Sequence, residues 1–188
     1  MSADVEQMAG EVVQLGVVAS VDPAAATCTV RLGDLVTGEL PWLAARAGAL
    51  RTWSPPSVGE QVVVLAPEGD LDNGVVLPGL YSDANAAPAA DPQIVHLEFE
   101  DGAVIRYNQS SHALQVTLPA GATAAIEAPG GVTITGDVTI TGQLSVFEDV
   151  AVAGTLTASS DVVGGGKSLK SHKHTAVAVG TAQSGPPA

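Results

Sequence analysis

A repeat with a period of six runs through the second half of the chain and narrows the folds open to it. Val132-Thr133-Ile134-Thr135-Gly136-Asp137 is followed by Val138-Thr139-Ile140-Thr141-Gly142-Gln143. Leu144-Ser145-Val146-Phe147-Glu148-Asp149 and Val150-Ala151-Val152-Ala153-Gly154-Thr155 come next, and Leu156-Thr157-Ala158-Ser159-Ser160-Asp161 is a fading copy. First and third positions are apolar, second and fourth are mostly small or Thr, and the fifth is usually Gly. A six-residue period on extended backbone specifies a β-helix. Glycine lets the chain bend where each wall ends.

Two β-helices compete. In the single-chain left-handed helix of hexapeptide-repeat acyltransferases, three hexads make one coil, and the hexads here complete barely two coils, below the usual three-repeat minimum. In the intertwined form three chains wrap one axis and each supplies a wall. Energetics favour the second. Ordering a residue costs on the order of 1–2 kcal/mol, and a lone wall of Val and Ile buries almost nothing to offset that. Sealed between chains, each inward side chain contributes about 1.5–3 kcal/mol. An obligate homotrimer is therefore expected.

Composition agrees with thin, regular β structure. Hydrophobic residues make up 46% of the chain but aromatics only 3%, so the apolar mass is mostly Ala, Val and Leu. The single cysteine, Cys28, excludes an internal disulfide and lies in the run Thr27-Cys28-Thr29-Val30, as a buried inert thiol would. A net charge of −13 argues against nucleic acid and anionic lipid as partners. No signal peptide is expected, because Met1-Ser2-Ala3-Asp4 has no basic residue and no apolar core comes after it. No run approaches the ~18 apolar residues of a membrane span. Assembly in the cytoplasm is the expectation.

Taken in order, residues 1–8 are expected to be disordered, and residues 9–82 to form a small β domain. Strands are expected at Glu11–Val21, Ala26–Leu32, Leu35–Leu43, Gln61–Ala66 and Gly74–Leu80, separated by turn signals such as Asp22-Pro23, Gly33-Asp34 and Asp72-Asn73-Gly74. Such a set suits a small closed barrel of the OB-fold kind. A nucleic-acid face would need basic and aromatic residues; Arg31, Arg46, Arg51 and two Trp are a thin supply, and Trp42 and Trp53 are read as core or interface residues. Residues 83–93 are a linker by composition, 94–166 the triple-stranded β-helix, and 167–188 the tip.

The tip holds Ser171-His172-Lys173-His174, two of the four histidines in the chain. On extended backbone His172 and His174 share a face, roughly 6.6 Å apart. One such pair is half a metal site at best, since structural sites need about four ligands. Three copies at an axis supply six imidazoles, a set that suits iron or nickel better than zinc. The plain alternative is a basic tail with two solvated histidines. His96 and His112 are read as surface or strand-packing residues.

At this point the chain resembles the baseplate assembly protein V family, the central spikes of contractile phage tails and R-type bacteriocins. Three stretches carry the likeness: Trp53-Ser54-Pro55-Pro56-Ser57-Val58-Gly59-Glu60-Gln61-Val62 running on to Gly74–Tyr81, the Val-Thr-Ile-Thr-Gly hexads, and Ser171-His172-Lys173-His174 with the closing Ser184-Gly185-Pro186-Pro187. The resemblance implies a homotrimer with an N-terminal OB-fold, an intertwined triple-stranded β-helix and a metal-bound tip. It implies one structural iron per trimer, held by His172 and His174 of each copy. It implies OB domains facing the tail tube and baseplate hub, and a tip that meets and pierces the outer membrane of the target cell. The implied place is the baseplate centre of a virion or bacteriocin particle, with no small-molecule substrate.

An enzyme is the first rival. His-x-His also opens metal hydrolases, but those need further His and Asp ligands downstream, and no His, Asp or Glu comes after His174. The hexapeptide acyltransferase fails on coil count. A trimeric tail fibre or adhesin is the second rival. Such fibres end in a recognition head, whereas Phe147 is the sole aromatic after Tyr107. A non-enzymatic membrane-piercing spike is the reading that remains.

Overall fold

The structure is a computed structural model that describes residues 11–173 and Gly180. The expected disordered start, residues 1–8, and the tail beyond Lys173 lie outside the described residues, Gly180 apart. The chain divides into two compact units between Ile126 and Glu127.

The first unit begins with a barrel. Its strands are β1 (Val13–Asp22), β2 (Thr27–Leu32), β3 (Leu35–Val36), β4 (Leu40–Pro41), β5 (Gln61–Leu65) and β6 (Val75–Leu80). Antiparallel pairing runs β3-β2-β1-β5-β6, and β4 pairs with β2 through Cys28↔Leu40. A parallel bridge from Trp42 to Val76, with Leu43 N–H donating to the Val76 carbonyl at 2.8 Å, joins the end of β4 to β6 and closes the ring. Closure leaves no free edge on the main strands.

Alternation along the strands fills this ring. Val18, Cys28, Val30, Leu40, Val62, Val64 and Val76 form the buried core, flanked by Val21, Leu32, Trp42 and Leu71. The inward face of β1 changes parity from Gly16 and Val18 to Val21 because register shifts between Val18 and Ser20, leaving Ala19 as an extra residue. Gly16 is glycine for a packing reason: a Cβ there would lie 2.7 Å from Leu32 Cδ2 and 2.8 Å from the Arg31 carbonyl oxygen. The segment expected as one strand from Leu35 to Leu43 is broken in two. Thr37 turns inward, and its hydroxyl accepts from Val30 N–H at 3.0 Å and donates to the Gly38 carbonyl at 2.8 Å. A side chain thus replaces the backbone partner, and the ladder stops.

Residues 94–117, expected as part of the shaft, form an antiparallel three-stranded sheet in the first unit: β7 (Ile94–Glu98), β8 (Val104–Asn108) and β9 (Ala113–Thr117). In the second unit ladder pairing within the chain is confined, among the described residues, to the short hairpin β10 (Val163–Gly164) and β11 (Lys167–Ser168). The hexads before it carry no strand pairing within the chain, but bends recur at 136, 141–142, 147–148, 153–154 and 159–160. The fifth position of every hexad is therefore a bend, including Glu148 and Ser160 where glycine is missing. No helix among the described residues is long and apolar enough to cross a membrane.

Candidate functional site

At the mouth of the barrel Glu60 ties three segments together. Its Oε1 accepts from Gly79 N–H at 3.0 Å and its Oε2 from Ser57 N–H at 2.9 Å. Gly79 has φ +95 and sits where register shifts between β5 and β6, so the carboxylate fills the gap that the bulge opens. Val18 N–H donates to the Glu60 carbonyl, and Gly59 N–H to the Val18 carbonyl, both at 2.9 Å. Sequence reasoning assigned Glu60 no role. Beside it Trp42 packs on the core and meets Trp53 with ring centroids 5.6 Å apart, while Trp53 stays 61% exposed. Leu43, Leu50, Val58 and Tyr81 are exposed as well. The barrel domain thus leaves several large apolar side chains open to solvent.

The sheet β7-β8-β9 is one-sided. Cross-strand register aligns Val95 with Tyr107 and Leu114, and Leu97 with Ile105 and Val116. These six share one face and all are exposed within the single chain. The other face carries His96 opposite Arg106 and Gln115. His96 Nε2 lies 3.5 Å from a Glu98 carboxylate oxygen, so this histidine belongs to a polar strand row. His112 is exposed at φ +52 in the turn between β8 and β9.

The hexads present the same problem more sharply. Every residue from 127 to 162 is exposed in the single chain, with Ile140 at 53% and Leu156 at 70%. Among the described residues no backbone hydrogen bond joins one hexad to another. Apolar first and third positions and unpaired backbone groups together form a surface that needs covering.

At the tip Gly165 and Gly166, at φ +55 and +77, turn the chain between β10 and β11. Two central residues with positive φ mark the type I′ hairpin turn. Leu169 N–H extends the pairing to the Val162 carbonyl at 2.8 Å. Asp161 Oδ1 accepts from Val162 N–H at 2.8 Å and from Lys170 N–H at 3.0 Å. Hydrogen bonds from the Ser168 hydroxyl first, then from backbone N–H groups led by Lys170, hold the Asp161 carboxyl below the usual aspartate range. The chain then turns again: His172 N–H donates to the Ser168 carbonyl at 3.0 Å. His172 therefore comes after a turn and not on the extended strand expected from alternation. Its partner in that expectation, His174, lies outside the described residues.

The His172 ring suits a metal ligand. Nδ1 stands 3.0 Å from the Leu169 carbonyl oxygen. A carbonyl only accepts, so Nδ1 carries the proton in this contact. Metal-binding histidines are held in this way, by donation from the other ring nitrogen to a carbonyl or carboxylate. Among the described residues no three His, Cys, Asp or Glu side chains of one chain come together as a ligand set.

Residues 14–81, the barrel from β1 to the end of β6, match the family model of the Type VI secretion system/phage-baseplate injector OB domain. Through this barrel the chain is similar to the phage baseplate V family. The chain is also similar to the spike protein of Escherichia phage P2, 44% identical over 123 residues, which is 65% of this chain and 57% of that protein. The chain thus spans little more than half the length of that relative. The matched barrel is the part in which Glu60, Gly79 and the two tryptophans lie.

Proposed function

We propose that this chain is the structural subunit of a central baseplate spike, a homotrimeric needle of a contractile tail that pierces the outer membrane of the target cell. The observation that carries this reading is the hexad segment. An exposed apolar wall with no ladder of its own is stable when other walls cover it, and threefold winding covers it with copies of the same chain. The one-sided sheet β7-β8-β9 supports the same arrangement, with Val95, Leu97, Ile105, Tyr107, Leu114 and Val116 available for an axial core. The 44% identity to a phage spike protein supports the placement in a tail.

In this reading the OB barrel is the attachment end, facing the tail tube and baseplate hub through the apolar rim around Trp53. The tip is the leading end. His172 and His174 of three copies hold one iron, whose part is to pin the chain ends together. With all positions filled by protein the site is structural and not catalytic. The particle is a virion or bacteriocin tail assembled in the bacterial cytoplasm, and neither nucleic acid nor a small-molecule substrate takes part.

The test is the mass of the full chain in solution, read together with iron per chain. Three chains and one iron per three chains are the expected result. A folded monomer at micromolar concentration would overturn the needle.

A further inference from the structure

We propose that Asp161 is a positioning residue for His172: its carboxylate shuts the tip hairpin and thereby fixes the turn that aims the imidazole. The inference rests on the metal reading of the tip given above.

The hairpin cannot hold this shape unaided. β10 and β11 share only two residue pairs, Val163↔Ser168 and Gly164↔Lys167. Two strands this short are not stable in water. Asp161 lies just outside the first strand, and Lys170 lies just past the second. A single oxygen, Oδ1, accepts from backbone N–H on both sides of the opening. The Ser168 hydroxyl is also the leading cause that holds this carboxyl low.

From Ser168 the connection continues to the histidine. Ser168 Oγ accepts from Ser171 N–H at 2.9 Å and from the Ser171 hydroxyl at 2.8 Å. The Ser168 carbonyl accepts His172 N–H, and the Leu169 carbonyl faces His172 Nδ1, both at 3.0 Å. The ring is thus set by carbonyls of two residues that Asp161 holds in place.

Asp161 stands in the sixth position of a hexad, where Asp137 and Asp149 also stand. Among the described residues neither of those makes a side-chain hydrogen bond. The last aspartate of the series has a separate task.

The experiment uses the full chain as wild type, Asp161→Ala and Asp161→Asn, loaded with ferrous iron. Two quantities are read: the rate of iron loss to a chelator, and the His172 tautomer in metal-free protein from imidazole nitrogen shifts. Groups that orient a ligand typically change metal affinity 10–100-fold. Asp161 acts through intervening residues, so Asp161→Ala should release iron about tenfold faster and lose the Nδ1–H preference. Asp161→Asn keeps an oxygen for both N–H groups and should stay close to wild type. If Asp161→Asn fails as badly as Asp161→Ala, charge and not geometry is at work, and the proposal falls. Unchanged release and tautomer in Asp161→Ala overturn it as well. If wild type takes up no iron while Asp161→Ala still loses the tautomer, positioning stands and the metal reading is what fails.

Discussion

Replacing Gly16 by alanine tests how closely β1 lies over β2 in the barrel. The added Cβ would meet Val30 Cγ1, Leu32 Cδ2 at 2.7 Å and the Arg31 carbonyl oxygen at 2.8 Å. Real Cβ contacts do not fall below 3.0 Å, so something must move. Leu32 is only partly buried and can turn away. Val30 is fully buried and β-branched, and the Arg31 oxygen is backbone, so neither gives way without disturbing the β1–β2 ladder. Overpacking of this kind costs about 1–3 kcal/mol. The lower chain entropy of unfolded alanine offsets ~0.4–1 kcal/mol of it. A net loss of about 2 kcal/mol is expected, near the upper end because one obstacle is backbone. For a barrel of this size that lowers Tm by roughly 8–16 °C. Both tryptophans, Trp42 and Trp53, lie in the barrel region, so fluorescence during urea or thermal unfolding reports on this domain. Gly38 is the control, since a Cβ there meets nothing within 4 Å. Gly38→Ala should change stability by less than about 0.5 kcal/mol or raise it slightly. If Gly16→Ala proves as stable as wild type, β1 does not cross β2 at the distance described and glycine is not required there.

Three further outcomes are expected. Ile140→Asp places a charge in the wall that we assign to the trimer axis, so it should abolish the trimer by light scattering while the tryptophan transition of the barrel persists; an unaltered trimer would put Ile140 on the outside. Burial first, then the Glu39 and Glu60 carboxylates, push the Cys28 thiol up, so a thiol reagent should label native protein only at the unfolding rate, and labelling within minutes at neutral pH would contradict its burial. The Asp161 carboxyl is depressed in the fold, so its stabilisation of the hairpin is complete above the unfolded pKa and is lost as pH falls through the lower folded value. Protection of the Lys170 amide from hydrogen exchange should therefore be full above the ordinary aspartate range, decline as pH falls through it and be lost below the folded value; loss of protection near pH 6 would refute the assignment to Asp161.

Much of the barrel is legible in the sequence because alternation and turn residues are local signals. Gln61–Ala66 is expected where Gln61–Leu65 is found, and Gly74–Leu80 where Val75–Leu80 is found. The features that escape depend on partners far apart in sequence. The Thr37 hydroxyl stops a strand because Val30 happens to face it, and Glu60 matters because the Gly79 bulge opens toward it. Neither can be read from its own neighbours. The tip is a different case. Gly165-Gly166 interrupts the repeat, but two adjacent glycines between extended stretches are also a hairpin signal. Read so, they fold Leu169 and Lys170 back against Asp161 and Val162, and the turn before His172 is a consequence. The hexads are legible as a repeat, and their bends fall where glycine recurs. Which surface covers them is a property of the assembly and not of one chain's pattern.

The contrast between a barrel with its own core and hexads without one has a temporal consequence. Contacts that close the barrel lie within one molecule, so their formation is first order and indifferent to how many chains are present. In the proposed trimer the hexad wall is covered by other chains, so it would form only on encounter, at a rate that rises steeply with concentration. A newly made chain of that trimer would therefore carry a finished barrel and an unfinished shaft, and the interval between the two states would shorten as synthesis proceeds. During that interval the exposed valines and isoleucines are open to wrong partners. The acidic surface, at net charge −13, opposes non-specific association of such chains.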